Sequence, residues 1–137
     1  MDQRRRFSAF VAKGRDPRPA ILKANDFTRD FATDAELEKQ VRVKLAIIVE
    51  ELVSNSLRHG GANRDIALWF TLEEFGGGVA LEFEDDGDSF DPADAPSFKN
   101  PNPNTGGGIG LAIVRAWGED IAYARLGDHN VLALKVS

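Results

Sequence analysis

Two short runs of alternating apolar residues constrain the fold of this chain more than any other feature. The apolar positions are Ile66, Leu68, Phe70 and Leu72 in the first run and Val79, Leu81 and Phe83 in the second. Period-two alternation predicts strands with one buried face, and the intervening Gly76-Gly77-Gly78 predicts a tight turn. The two runs are therefore predicted to form an antiparallel hairpin.

The remaining elements are predicted from spacing and from turn residues. We expect a strand within residues 5–13, a helix within residues 20–33, a second helix from an N-cap at Asp34 to about Arg58, a third helix at Ile109–Trp117 stopped by Gly118, and a hairpin of residues 121–125 and 131–136. Helices followed by hairpins favour an α+β protein. We predict a two-layer α/β sandwich with a mixed, mostly antiparallel sheet under three helices.

Size and composition indicate one domain covering residues 1–137. The net charge of -5 argues against nonspecific binding of nucleic acid. No segment approaches the roughly 20 apolar residues of a membrane span, and the basic N-terminus lacks the apolar core of a signal peptide. The chain has no cysteine, which excludes disulfides and thiolate zinc sites. We therefore expect a cytoplasmic protein without membrane contact.

The second helix carries polar residues four positions apart on a stripe beside its apolar face. Glu51 and Asn55 lie only 40° apart at the helical 100° per residue, whereas Glu50 points elsewhere. The stripe has two readings. It is either the polar flank of an amphipathic helix, or a site in which the amide oxygen binds Mg²⁺ and the carboxylate deprotonates a nucleophile. His59 continues the stripe and can also be a structural helix-end residue.

Two further stretches carry possible binding residues. Asp85 continues the core-facing row of its strand, so its carboxylate needs a partner such as an exocyclic amine, and Gly87 lets the backbone approach a flat ring. An ordinary acidic turn is the alternative. Thr105 begins a glycine-rich turn before a helix, where backbone N–H groups suit phosphates. It is neither a Walker A loop nor a Rossmann turn, because no GK[ST] follows and no strand precedes it.

Taken together, the three stretches resemble the GHKL ATPase superfamily over about residues 37–125. Glu51-x-x-x-Asn55-x-x-x-His59-Gly60 is similar to the N-box of that superfamily. Asp85-x-Gly87-x-x-Phe90-Asp91-Pro92 and Gly106-x-Gly108-x-Gly110-Leu111 are similar to its two glycine boxes. The resemblance implies a Bergerat fold that binds ATP and Mg²⁺.

The resemblance also implies a role for each motif residue. Asn55 would ligate Mg²⁺, Asp85 would accept a hydrogen bond from adenine N6, and Glu51 would be the general base for a serine hydroxyl. Gly87 would shape the ring pocket, and residues 93–106 would form a mobile lid. The other implied nucleotide contacts are His59, Phe90, Thr105, Gly106, Gly107, Gly108, Ile109, Gly110 and Leu111.

Within the superfamily, the short chain, the "HG" of the N-box and the "FDP" of the first glycine box most resemble bacterial anti-sigma factor serine/threonine-protein kinases. Histidine kinases normally carry a phosphoacceptor domain upstream, and from the length of this chain we expect none here. The resemblance implies phosphorylation of an anti-anti-sigma STAS protein, binding of a sigma factor or analogous regulator, and a homodimer.

One departure from the family keeps a second hypothesis open. Anti-sigma kinases often carry an arginine near the second glycine box, whereas residues 105–110 here are TGGGIG and the nearest basic residues are Lys99 and Arg115. Lys99 is the candidate substitute. The alternative is a nucleotide-dependent binding module that transfers no phosphate, and a chance coincidence of the motifs in an unrelated globular domain is the third reading.

Overall fold

The computed structural model describes residues 3–60, 64–88 and 107–137 of the chain. Its elements are β1 (Arg4–Val11), α1 (Arg18–Asp34), α2 (Lys39–Asn55), a π-helical turn (Ser56–Gly60), β2 (Ile66–Phe75), β3 (Gly78–Asp85), α3 (Gly107–Trp117), β4 (Glu119–Leu126) and β5 (His129–Val136). The predicted α+β class and the predicted order of strands and helices are confirmed.

One five-stranded sheet runs in the order β1-β2-β3-β5-β4. All four neighbouring pairs are antiparallel, so the predicted mixed, mostly antiparallel sheet is antiparallel throughout the described residues. The predicted hairpins are β2–β3 and β4–β5. Because β5 inserts between β3 and β4, the final hairpin brings its second strand directly beside the end of β3.

The core lies between the sheet and the helices. Buried residues recur at every second position of β2, β3 and β5, as the alternation predicts, and at helical spacing on α1 and α2. Phe70 is at the centre, with its ring 5.1 Å from Phe7, 5.5 Å from Phe27 and 6.3 Å from Phe83 between centroids. Such aromatic contacts add to the free energy gained by burying apolar area. No helix within the described ranges is long and apolar enough to cross a membrane.

The predicted N-cap of the second helix at Asp34 is wrong. Asp34 is the last residue of α1, and α2 begins at Lys39 with Glu38 as its N-cap. The chain changes direction at Glu36, whose φ is +54° and therefore incompatible with a continued right-handed helix. Leu37 is buried and its N–H donates to the Ala32 carbonyl, which closes the turn. Apolar residues keep helical spacing across this break, so periodicity did not give the position at which the second helix begins.

Gly118 ends α3 as predicted, and its environment explains why glycine is required. Its N–H donates to the Val114 carbonyl at 2.8 Å, and a Cβ atom at this position would lie 2.8 Å from the same oxygen and 3.1 Å from Ile121 Cδ1. A backbone oxygen cannot move aside as a side chain can. The join between α3 and β4 therefore has no space for a larger residue.

We expect Gly118→Ala to lower the free energy of unfolding by about 1–3 kcal/mol, the usual cost of forcing extra volume into a packed site. Denaturant unfolding monitored by Trp fluorescence measures the change. An unaltered denaturation midpoint would contradict the close approach of Gly118 to Val114.

Candidate functional site

Asp85 is the last residue of β3 and lies on the row that faces the core. Only 8% of Asp85 is exposed, whereas the neighbouring Asp86 is half-buried and Asp88 is exposed. Asp85 is therefore not part of a solvated acidic turn, which was the alternative reading of this stretch. The register of the sheet places Asn130 of β5 directly opposite Asp85.

Within the described residues, three hydrogen bonds hold the Asp85 carboxylate. The Ser56 hydroxyl donates to Oδ2 at 2.7 Å, while the Asn130 amide and the Gly87 N–H donate to Oδ1 at 2.8 Å and 3.0 Å. These bonds offset the cost of burying the charge. A carboxylate has about four acceptor positions. Oδ2, which receives one of the three bonds, therefore retains capacity for one N–H donor of a ligand.

Ser56 connects Asp85 to the polar stripe of α2. It is buried, it follows Asn55 directly, and it begins the π-helical turn Ser56–Gly60. Short π-helical insertions occur frequently at functional sites. The hydrogen bond from Ser56 places the C-terminal end of α2 against the end of β3. The end of the stripe at Asn55 therefore lies near the Asp85 carboxylate, although the two are about thirty positions apart in sequence.

Glu51 lies one helical turn before Asn55, and both side chains are half-buried, whereas Glu50 is exposed. Burial raises the pKa of the Glu51 carboxyl, the negative charge of Glu50 raises it further, and the positive charge of Arg58 lowers it. A carboxylate with a raised pKa holds a proton more strongly and is a better general base. Glu51 is thus suited to accept a proton from a hydroxyl.

The final hairpin contributes side chains that the motifs did not include. The Tyr123 hydroxyl donates to the Asn130 amide oxygen, the Asn130 amide nitrogen donates to Asp85, and Arg125 donates to the Gly87 carbonyl at 2.7 Å. A sequence signal existed for Asn130, because it has the same strand parity as the buried Leu132 and Leu134. An amide on a core-facing row needs polar partners, as the carboxylate of Asp85 does.

The comparison with protein families identifies the family to which the chain belongs. The sequence matches the family model of the histidine kinase-like ATPase domain over residues 15–136, which is most of its length. The chain belongs to the histidine kinase-like ATPase domain family. Membership in this family supports ATP binding. Among curated proteins, no sequence matches the chain.

Solved structures of histidine kinases share this ATPase fold. They include the histidine kinase domain of the Erythrobacter litoralis EL346 blue-light activated histidine kinase, with a TM-score of 0.52, 17% identity and coverage of 70% of this chain and 47% of that one. The Acinetobacter baumannii histidine kinase AdeS has a TM-score of 0.50 and 19% identity, with coverage of 96% of this chain and 67% of that one. The catalytic domain of histidine kinase ThkA has a TM-score of 0.51, 13% identity and 95% coverage of both chains. The chain spans about half of the first of these structures, and identities this low show the fold alone.

The predicted site residues of the ATPase domain fall into three groups. The structure describes both the backbone placement and the burial of four of them, Glu51, Asn55, Asp85 and Gly87. Of His59, Gly107, Gly108, Ile109, Gly110 and Leu111 only the backbone is described: His59 lies in the π-helical turn, and the others form the start of α3. Phe90, Thr105, Gly106, Lys99 and the predicted lid of residues 93–106 lie outside the described residues.

The start of α3 differs from the prediction by two residues. The helix begins at Gly107 rather than at Ile109, so part of the glycine-rich stretch forms its first turn. The first N–H groups of a helix have no partner within the helix and suit an anion. Arg115 lies in the last turn of α3 and is exposed.

The residues present fit ATP with Mg²⁺. Mg²⁺ typically keeps several waters and takes one or two oxygen ligands from the protein together with phosphate oxygens, which a single amide oxygen from Asn55 satisfies. Asp85 offers only acceptor capacity, which fits the exocyclic amine of adenine and not the oxo group of guanine. No group of three or more His, Asp or Glu side chains that could hold a metal alone occurs in the part of the chain that the structure describes.

Proposed function

We propose that this chain is an anti-sigma factor serine/threonine-protein kinase that uses ATP to phosphorylate an anti-anti-sigma protein of the STAS fold. The observation that carries the proposal is the hydrogen bond between Ser56 and Asp85. This hydrogen bond joins the end of the helix that bears Glu51 to Asp85, the proposed acceptor for the adenine amine. A nucleotide and a general base would therefore meet at one site. The "HG" and "FDP" sequences support the serine kinase subtype.

In the proposed reaction, Glu51 accepts the proton of a serine or threonine hydroxyl on the partner protein. The hydroxyl oxygen forms a bond to the γ-phosphorus of ATP, the bond from that phosphorus to the bridging oxygen of ADP breaks, and ADP leaves with the electron pair. Such transfer depends mainly on positioning and on stabilisation of charge. The raised pKa of Glu51 supports its role as the base.

The other residues of the site bind the nucleotide in this proposal. Asp85 accepts from the adenine amine, Gly87 lies against the ring, and the N–H groups at the start of α3 surround the phosphates. Asn55 would hold Mg²⁺, which would supply positive charge to the phosphates when bound. Residues 93–106 would act as the lid over the nucleotide.

The partners in this proposal follow from the same resemblance. They are the STAS protein that is phosphorylated and a sigma factor or an analogous regulator that is bound, with the kinase acting as a homodimer in the cytoplasm. The net charge of -5 agrees with protein partners rather than direct contact with nucleic acid.

A nucleotide-dependent binding module is the second candidate function. Residues 105–110 contain no basic side chain that could neutralise the γ-phosphate during transfer. In this alternative, ATP or ADP changes the lid, and the lid changes the affinity for a partner without producing a phosphoprotein.

A labelling experiment decides between these functions. The protein is incubated with γ-labelled Mg-ATP and an extract of the organism that encodes it, and mass spectrometry identifies any labelled protein. We expect one small labelled STAS protein whose phosphate survives acid, because phosphoserine and phosphothreonine are stable in acid and phosphohistidine is not. A parallel titration with ATP measures binding.

The labelling experiment has three possible results, and each favours a different function. An acid-stable label on a STAS protein, absent when Glu51→Gln replaces the wild type, supports the serine/threonine kinase. An acid-labile label would contradict serine specificity and indicate a histidine kinase. ATP binding without any label that depends on the added protein would favour the binding module.

A further inference from the structure

Three side chains of the final hairpin hold the segment around Asp85, and we name Tyr123, Arg125 and Asn130 the hairpin clamp. None of them belongs to the three motifs of the sequence. Tyr123 and Arg125 lie on β4 and Asn130 lies on β5. The β4–β5 pairing sets Arg125 opposite Asn130. Because β5 lies directly beside β3, the clamp reaches the end of β3 from one side.

Asn130 is the central residue of the hairpin clamp. It is 8% exposed and stands opposite Asp85 in the sheet. Its amide nitrogen donates to Asp85 Oδ1 at 2.8 Å and to the Asp88 carbonyl at 2.7 Å. A single amide group thus connects the carboxylate of β3 to the backbone three residues later.

The orientation of the Asn130 amide is determined by its partners. The Tyr123 hydroxyl donates to Asn130 Oδ1 at 2.6 Å. A flipped amide would set its oxygen against the Asp85 carboxylate and the Asp88 carbonyl, both of which only accept hydrogen bonds. Tyr123 therefore supports the one orientation in which Asn130 donates to Asp85.

Arg125 restrains the same segment at a second point. Its guanidinium donates to the Gly87 carbonyl at 2.7 Å, while the Gly87 N–H donates to Asp85 Oδ1. Residues 85–88 are thus held by Asn130 at both ends and by Arg125 in the middle. Hydrogen bonds from charged donors are stronger than those between neutral groups.

We propose that Asn130, supported by Tyr123, is a positioning residue that fixes the Asp85 carboxylate for the exocyclic amine of a bound adenine nucleotide. The proposal rests on the proposed nucleotide function and adds a specificity role for the hairpin. With Asn130 and Gly87 on Oδ1, the remaining acceptor capacity lies on Oδ2. The base would therefore be recognised by one oxygen in one defined orientation.

The test compares ATP with purine riboside triphosphate, which has the same ring, ribose and phosphates but no exocyclic amine. We expect Asn130→Ala to weaken ATP binding about tenfold and Tyr123→Phe about threefold, since each removes part of the support for one charged hydrogen bond. Both variants should bind the analogue as the wild type does, because the analogue does not use the positioned oxygen. Isothermal titration calorimetry gives the dissociation constants.

Asn25→Ala is the matched control, because it makes the same chemical change on α1, away from the clamp. It should leave the affinity for both nucleotides unchanged. Tyr123→Phe keeps the aromatic ring in place and tests the proposal even if Asn130→Ala fails to fold, which thermal unfolding detects.

The possible contradicting results differ in what they overturn. Equal weakening for ATP and for the analogue would reduce Asn130 to a structural role. Unchanged ATP affinity in both folded variants would refute the positioning role directly. A wild-type protein that binds neither nucleotide would instead overturn the proposed function.

Discussion

Asp85→Asn is expected to lower the affinity for ATP about a hundredfold while leaving the protein folded. The asparagine oxygen can still accept from Asn130 and Gly87, and the Ser56 hydroxyl can reverse and accept from the new amide nitrogen. The second N–H of that amide then points to the position where Asp85 Oδ2 would have accepted from the adenine amine. The adenine amine meets a donor and loses a hydrogen bond to a charge, which together cost about 3 kcal/mol.

The same substitution should change which base is preferred. An N–H group at this position can donate to the oxo group of inosine triphosphate, so the preference for ATP over that nucleotide should narrow. Asp86→Asn is the matched control. Its carboxylate accepts from the Ala67 N–H at 2.8 Å, and asparagine can continue to do so. Fluorescence titration with both nucleotides measures the effect, and wild-type ATP affinity in the folded Asp85→Asn protein would rule out Asp85 as the base acceptor.

Glu51→Gln is expected to slow phosphoryl transfer about 10²- to 10⁴-fold, the usual contribution of a general base, without weakening ATP binding. Glutamine has nearly the same shape and can still form hydrogen bonds, but it cannot take a proton. Transfer of γ-labelled phosphate to the partner measures the rate, and calorimetry measures binding. A wild-type rate in the variant would show that another group accepts the proton.

The pH dependence of transfer gives a second readout of the base. Only the deprotonated form of Glu51 accepts a proton, so the rate should rise as the pH rises through its raised pKa. Glu50→Gln is the control variant, because Glu50 is exposed and its charge raises the pKa of Glu51. Removing that charge lowers the pKa of Glu51, and the rising limb of the profile should move to lower pH. If the rising limb of the pH–rate profile lay at the same pH in the wild type and in Glu50→Gln, Glu51 would be excluded as the titrating group.

The main elements of the fold were predictable because their patterns are local. The alternation at Ile66–Phe75 and Gly78–Asp85 predicted β2 and β3, and Gly118 predicted the end of α3. The boundary between α1 and α2 was predicted, but the start of α2 was placed too early, at Asp34 instead of Lys39, because the buried Leu37 keeps helical spacing across the turn at Glu36. Apolar periodicity reports burial, and burial continues through a break in a helix.

The candidate site was only partly visible in the sequence. The strand parity of Asp85 predicted an inward carboxylate that needs a partner, and the structure places it in the core. Its protein partners were not predicted, because Ser56 and Asn130 lie far from Asp85 in the chain. They come into contact only through the π-helical turn after α2 and the insertion of β5 beside β3.

By itself, the sequence determined the class of fold, the order and approximate positions of the helices and hairpins, and three motifs that resemble those of GHKL ATPases. These features depend on residues a few positions apart, and local spacing records them. The tertiary structure decided which polar groups meet at Asp85, which orientation the Asn130 amide takes, and how burial raises the pKa of Glu51. These properties depend on the order and register of strands and on the exclusion of water between distant segments, which no local pattern of residues specifies.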